Sequence, residues 1–125
     1  MKTVLIDSDI FIEVSRGRDV AILRRWEELS SSETVIVCSP VTIAEVWHGA
    51  RPREHGLLRS LFAALLCVPI DQEIGRQAGE YLRRYQASHR LELGDALIAS
   101  TARIHGTALW TRNRKHYPMG EIEFW

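Results

Sequence analysis

The sequence predicts an α/β fold with a mostly parallel central sheet of four to five short strands and a layer of helices on each face. Three observations support this three-layer arrangement. Short apolar and β-branched runs alternate with longer segments of helical periodicity. Capping and turn residues separate the two kinds of segment. Strands that alternate with helices form βαβ units, which place the strands in parallel and cover both faces of the sheet.

Five runs are predicted as strands. Residues 3–6 are apolar or β-branched and are followed at once by Asp7, which is typical of a buried strand that leads into a turn. Residues 34–38 and 107–111 have the same character. Residues 68–70 form a shorter run, and residues 121–124 are a candidate for a final edge strand.

Six helices are predicted between these strands, at residues 10–15, 20–29, 41–50, 57–66, 72–85 and 91–104. Ser39 and Pro40 open the third helix in the preferred way, as N-cap and first-turn residue. Asp71 is expected to cap the fifth helix, and Gly106 to end the sixth. The sixth is apolar or small on nearly every side, which predicts a central position.

The composition is that of an ordinary globular protein. A chain of 125 residues favours one domain over residues 1–125, and 46% hydrophobic residues suffice for one core. No segment approaches the ~20 apolar residues of a membrane span, so we expect a cytoplasmic protein without membrane contact. Cys38 and Cys67 both lie in apolar runs and are predicted to be buried, reduced and unconnected with zinc.

The net charge of zero argues mildly against nucleic-acid binding, which favours a basic domain. The cations are 14 arginines and only two lysines, however, and arginine suits bidentate phosphate contacts. From charge and placement, the candidate phosphate contacts are Arg16, Arg18, Arg112 and Arg114.

Four acidic residues stand beside or inside apolar segments. Asp7 follows the first strand, where ligands bind in open parallel sheets, but a helix N-cap is an equally good interpretation. Asp9 is either a ligand or a supporting group. Glu45 lies in an apolar helix and is either functional or turned to solvent. Asp95 is the strongest candidate, because a carboxylate in a central helix needs a cation or several donors.

The segment after the last long strand, residues 110–117, offers a hydroxyl, an amide, cations and an aromatic ring. It is either a solvated polar loop or a loop that supports a metal and contacts phosphate. Asn113 is the candidate catalytic residue here. His48 and His116 are possible assistants, although a single histidine is more often structural or merely exposed.

Convergence of Asp7, Glu45 and Asp95 at one end of the sheet would require the carboxylates either to take up protons or to bind a cation. Two carboxylates ~4 Å apart repel by roughly 4 kcal/mol at an effective dielectric constant near 20. Ligands that are all oxygen suit Mg²⁺, with Mn²⁺ as a substitute. Such an ion activates water for attack on a phosphodiester, so no serine or histidine nucleophile is needed.

Four segments, taken in order, resemble the motifs of PIN domains in the form carried by VapC toxins. They are VLIDSDIFIE at residues 4–13, TIAEVWHG at 42–49, GDALIA at 94–99, and LWTRN at 109–113 followed by HYP at 116–118. The resemblance covers almost the whole chain. It implies a PIN fold and a Mg²⁺- or Mn²⁺-dependent endoribonuclease.

The resemblance also carries metal ligation onto Asp7, Glu45 and Asp95. It implies a VapB-like antitoxin partner and a homodimer. The fourth motif departs from the family pattern, because Asn113 and His116 stand where many PIN domains place another acid. The loss of that charge weakens the case for a second tightly held metal ion. The expected substrate is RNA in single-stranded or loop regions, which expose bases and backbone to a pocket.

Two other families share part of this pattern. A haloacid-dehalogenase-like phosphatase would use Asp7 and Asp9 as nucleophile and acid. It also needs a lysine, for which only Lys2 and Lys115 are present, and a further acid pair, which is missing because no second acid follows Asp95. A receiver-like signalling module would be phosphorylated at Asp71 and would use Lys115. A receiver-like module would have no functional role for Glu45 and Asp95.

Overall fold

A computed structural model describes residues 2–125 and contains a four-stranded sheet. The strands are β1 (Thr3–Ile6), β2 (Val35–Cys38), β3 (Leu66–Cys67) and β4 (Ala108–Trp110). Their order is β3-β2-β1-β4, and every pair of neighbours is parallel. The predicted α/β class and parallel sheet are therefore confirmed.

Six helices connect the strands: α1 (Ser8–Arg16), α2 (Val20–Ser30), α3 (Pro40–His48), α4 (His55–Ala63), α5 (Gln72–His89) and α6 (Leu93–His105). Short 3₁₀ turns occur at Pro52–Glu54 and Arg114–His116. Ser39 and Asp71 cap α3 and α5 as predicted. Gly106 ends α6 with a φ of 62°, a left-handed conformation that glycine adopts without strain. None of the helices in residues 2–125 has the length and apolar character that crossing a membrane requires.

Two cores lie on opposite faces of the sheet, because successive side chains of a strand point to opposite sides. Leu5 belongs to one core, which α5 and α6 complete with residues such as Tyr81 and Ala99. Val4 and Ile6 belong to the other core, where Phe11 of α1 packs with residues of α2 and α4. The result is the predicted three-layer arrangement.

The strand order creates a crevice next to β1. From β1 the chain moves outward through β2 to β3, and it then returns to the opposite side of β1 to form β4. The direction of winding thus reverses between β1 and β4. In open parallel sheets, ligands bind beyond the carboxyl ends of the strands at such a reversal. Asp7 follows β1 at this point, and Thr111 follows β4.

Three expectations about the chain after residue 56 were wrong in detail. The third strand is at Leu66–Cys67 and not at 68–70, because Pro69 has no N–H with which to continue the pairing. The helix predicted at 57–66 is α4 and ends at Ala63. The expected strand at 121–124 is reduced to a single bridge between Phe124 and Leu109.

The prediction for the cysteines was half wrong. Cys38 is buried, but Cys67 is exposed, because β3 is the edge strand of the sheet. The two residues are paired across β2 and β3, and both thiols are free. Burial raises the pKa of the Cys38 thiol to about 12.

Candidate acidic active site

Asp7 occupies the centre of the crevice and is only 8% exposed. Its backbone N–H donates to the Trp110 carbonyl at 3.0 Å, which joins the ends of β1 and β4. One carboxylate oxygen accepts from the Ser8 N–H at 2.8 Å. The other accepts from the hydroxyls of Thr111 and Tyr117, both at 2.8 Å. Asp7 is the N-cap of α1, which was one of the two interpretations of this residue from the sequence. It is also held by hydroxyl donors from a distant part of the chain.

Asp9 lies in the first turn of α1, beside Asp7. Its Oδ1 accepts from the Ile10 N–H at 2.7 Å. Its Oδ2 accepts from the Arg112 N–H at 3.1 Å and from the Asn113 side-chain amide at 2.9 Å. Burial raises the pKa of Asp9 to about 6, and the charge of Asp7 adds to the shift. Asp9 therefore connects α1 to the loop that follows β4.

Glu45 is exposed on α3, yet it is tied to the same crevice. Its Oε1 accepts a hydrogen bond from the Ser8 hydroxyl at 2.5 Å. Its other oxygen faces the start of α6, where a Cβ built on Gly94 would lie 3.6 Å from Oε2. The small residue at position 94 thus leaves room for the Glu45 carboxylate beside Asp95.

Asp95 lies in the first turn of α6 and is half-buried. Burial raises the pKa of Asp95. A hydrogen bond with the Glu92 backbone acts in the opposite direction and lowers the pKa, whereas the negative charge of Asp7 raises it further. The exposed His116 ring opposes this shift. The charges of Asp7 and His116 therefore both act on the pKa of Asp95.

The structure therefore gathers four acidic residues, Asp7, Asp9, Glu45 and Asp95, at the carboxyl ends of β1 and β4. None of the ion pairs formed within residues 2–125 includes any of these carboxylates. Asp9 and Asp95 are half-buried, a state that is costly for a carboxylate without an ion-pair partner, and their raised pKa values express that cost.

The chemistry of these donors fits a hard divalent cation, which prefers ligands that are all oxygen. As the side chains stand, however, no three acidic, histidine or cysteine residues among 2–125 are arranged to hold a metal ion. The oxygens of Asp7 and Glu45 already accept hydrogen bonds from Ser8, Thr111 and Tyr117. A cation would have to compete with some of these donors.

Comparison with known families identifies the arrangement. The sequence profile of the PIN domain matches residues 4–121. The chain belongs to the PIN-domain family. The family predicted from the four motifs is therefore confirmed, and the family generally uses divalent metal ions.

Relatives of this PIN-domain chain include a curated ribonuclease, VapC10 of Mycobacterium tuberculosis. It is 38% identical over 94% of this chain and 88% of its own length. A solved toxin–antitoxin complex from Klebsiella pneumoniae contains a chain that is 25% identical, with a TM-score of 0.76 over 95% of this chain and 94% of the other. The structure of VapBC2 from Rickettsia felis bound to promoter DNA has the same fold. Its TM-score is 0.82 at 18% identity, over 98% of this chain and 97% of the other.

The other predicted residues of this PIN domain lie at varied distances from the acids. Asn113 is at the site, but its amide nitrogen binds Asp9, which makes it a support for that acid in this structure. His48 is exposed at the end of α3. Arg114 is turned toward the C-terminus, where it donates to the Trp125 carbonyl.

Arg18 and Arg112 pair with the same oxygen of Glu13, at 3.1 and 3.4 Å. Arg16 pairs with Glu54 at 3.5 Å. The guanidinium groups of Arg16, Arg18 and Arg112 therefore pair with Glu13 or Glu54 and with none of the four acids, although the Arg112 backbone lies next to Asp9.

Sequence reasoning did not single out Ser8, Thr111 or Tyr117, which donate to the acids. Thr111 and Tyr117 were part of the polar segment 110–117, so the composition of that loop was a usable signal. Ser8 looked like a turn residue. Asp71, the phosphate acceptor of the receiver alternative, instead caps α5 by accepting from the Ile74 N–H at 3.0 Å.

Proposed function

We propose that this PIN-domain chain is the toxin endoribonuclease of a VapBC-type toxin–antitoxin pair and that it cleaves RNA phosphodiester bonds with the help of Mg²⁺, or Mn²⁺ in its place. The observation that carries the proposal is the gathering of four acids, without cationic partners in residues 2–125, at the switch point of the sheet. The relative named as a ribonuclease supports the choice of RNA as the substrate.

Asp7, Glu45 and Asp95 are the residues that would hold the metal ion. They come from the end of β1, from α3 and from α6, so a bound cation would join three elements and offset the mutual repulsion of the acids. When bound, the ion supplies an activated water and stabilises negative charge on the phosphate. The donors around the acids are neutral N–H and O–H groups, so they do not cancel the negative charge, and a cation would replace some of them.

The neighbouring polar residues position the acids. Thr111 and Tyr117 share one oxygen of Asp7, and together they fix the plane of that carboxylate. Asn113 does the same for Asp9. Ser8 binds Glu45 and lies next to Asp7, so it couples α3 to the end of β1. Partners of this kind orient ligands, and their loss commonly costs 10–100-fold in metal affinity or activity.

The proposed partners follow from the relatives. The Klebsiella pneumoniae structure is a toxin–antitoxin complex, and the Rickettsia felis structure is a VapBC pair. We propose a VapB-like antitoxin for this chain, a homodimeric assembly and a cytoplasmic location. Addition of the protein encoded beside this gene should suppress RNA cleavage by the purified chain.

The proposed function is tested by RNA cleavage with two acid variants. Asp95→Asn and Asp7→Asn each remove a charged ligand with little change in shape, and each should lower cleavage at least 100-fold. The matched control is Asp71→Asn, because it makes the same change at the N-cap of α5, where Asp71 accepts from the Ile74 N–H and is not one of the four gathered acids. Circular dichroism checks that every variant is folded. Full activity in either acid variant, or undiminished cleavage in excess EDTA, would contradict the mechanism.

A further inference from the structure

A cleft rich in arginine lies at the opposite end of α1 from Asp9. It has a volume of about 380 Å³ and is formed by the end of α1 together with the turn between α3 and α4. We call it the arginine cleft and define it by Arg16, Arg18, Arg51, Arg53, Glu54 and Leu57. Nothing in the proposed mechanism uses it.

The arginine cleft concentrates positive charge in a chain whose net charge is zero. Four arginines and a single acid, Glu54, line the cleft. The Arg16 guanidinium forms an ion pair with the Glu54 carboxylate, and the backbone N–H of Arg51 donates to the same carboxylate at 2.9 Å. Arg51 and Arg53 are exposed, and neither forms an ion pair with another residue of the described chain, 2–125. Their charge is therefore available to an anion.

A line of cations connects the arginine cleft to the acids. Arg18 lines the arginine cleft, and it also lines a second, shallower groove together with Arg112. Glu13, whose side chain is only 14% exposed, holds both guanidinium groups with one oxygen. The Arg112 N–H in turn donates to Asp9. Glu13 thus fixes two arginines between the acids and the cleft.

The length of this line suits a short stretch of nucleic acid. Asp9 and Arg16 lie seven residues apart on α1, which corresponds to ~10 Å along the helix axis. Stacked nucleotides rise by ~3.4 Å each along a strand, so the line spans about three nucleotides. An RNA strand that is cut within its length at the acids continues on both sides of the cleaved bond. On one side it would pass over these arginines.

We propose that the arginine cleft binds phosphates of the RNA substrate about three nucleotides away from the bond that is cleaved. The proposal rests on the proposed ribonuclease function and adds a second contact surface to it. Arginine forks bind phosphate oxygens in a bidentate manner, which favours phosphate as the anion. The continuity with the acids favours the substrate strand over an unrelated acidic protein.

The test is RNA binding by the double variant Arg51→Ala/Arg53→Ala. The control is Arg83→Ala/Arg84→Ala, which removes two exposed arginines from α5. Fluorescence anisotropy with a labelled 12-nucleotide single-stranded RNA is measured in EDTA, so that the RNA is not cut. The Kd of the cleft variant should rise about tenfold, and the slope of log Kd against log salt should fall by roughly one to two. The control should bind as the wild type does.

Cleavage kinetics separate this proposal from the proposed function. With Mg²⁺ present, the cleft variant should raise KM for the 12-nucleotide RNA and leave kcat unchanged. If the wild type cleaves RNA but the cleft variant binds it as tightly as the control, the arginine cleft is refuted and the ribonuclease function stands. If the wild type neither binds nor cleaves RNA, both proposals fail.

Poly-L-glutamate provides a further arm of the test. If Arg51→Ala/Arg53→Ala abolishes binding of poly-L-glutamate and leaves RNA affinity unchanged, the cleft is a site for acidic polypeptide and the proposal is wrong. If RNA affinity falls and poly-L-glutamate does not compete with RNA, the proposal is supported.

Discussion

Removal of one hydroxyl should reveal how firmly the site holds Asp7. Tyr117 is 3% exposed, and its hydroxyl donates to Asp7 Oδ2 at 2.8 Å. Tyr117→Phe keeps the ring, and with it the apolar packing, but it deletes a donor to a buried carboxylate. The Thr111 hydroxyl still donates to the same oxygen, so the carboxylate keeps part of its support.

The size of the effect follows from the type of bond. A hydrogen bond to a charged group contributes about 1.5–3 kcal/mol to the free energy of unfolding. For a chain of this length, that loss lowers Tm by roughly 5–12 °C. Cleavage of RNA should also fall 10–100-fold, because Asp7 loses a group that orients it.

Urea unfolding followed by circular dichroism measures the stability of the Tyr117→Phe variant. Tyr85→Phe is the matched control, because the Tyr85 hydroxyl has no hydrogen-bond partner within residues 2–125. The control should differ from the wild type by less than about 0.5 kcal/mol. The reasoning is refuted if Tyr117→Phe is as stable as Tyr85→Phe, or if it cleaves RNA at the wild-type rate.

Three further predictions concern other parts of the molecule. Gly94→Ala should keep or slightly raise stability in urea unfolding, since the new methyl group makes ordinary contacts in a helix, but it should slow RNA cleavage because it lies 3.6 Å from Glu45. A drop in stability of more than ~1 kcal/mol would contradict this. Hydrogen bonding from a buried tyrosine hydroxyl lowers the pKa of Glu121, so its contribution to stability is present above pH ~4.5 and is lost as the pH falls through the lowered value. Glu121→Gln should therefore be less stable than the wild type at pH 7, and the two Tm values should converge toward pH 3; a constant difference would be evidence against the assignment. Cys67 should react with a thiol reagent in the native protein, whereas Cys38 should react only on unfolding, and equal rates for both would be inconsistent with the edge position of β3.

Much of the fold could be predicted from the sequence, because the strands that build the cores are short apolar runs with polar ends. β1 and β4 lie within one residue of their predicted bounds. The third strand was placed too late, since residues 65–70 are almost all apolar and their pattern does not show which two of them pair with β2. The same pattern hid the exposure of Cys67, which depends on the absence of a further strand beyond β3.

The acidic residues of the site could be predicted from the sequence, but the hydrogen bonds that hold them in place could not. A carboxylate directly after a strand, such as Asp7, or in an apolar helix, such as Asp95, is an anomaly that sequence alone reveals. Thr111 and Tyr117 lie more than 100 residues from Asp7 in the chain, and only the pairing of β4 with β1 brings them to it. The role of Asn113 as a support for Asp9 depends on the same pairing.

Calorimetric titration with Mn²⁺ and Mg²⁺ tests the central claim most directly, because it measures ion binding without requiring a substrate. The wild type should bind a divalent ion saturably, Asp95→Asn should lose that binding, and Asp71→Asn should retain it. If the wild type shows no binding at millimolar ion concentrations, or if all three proteins bind alike, the acids around Asp7 are not a metal site and the account is wrong.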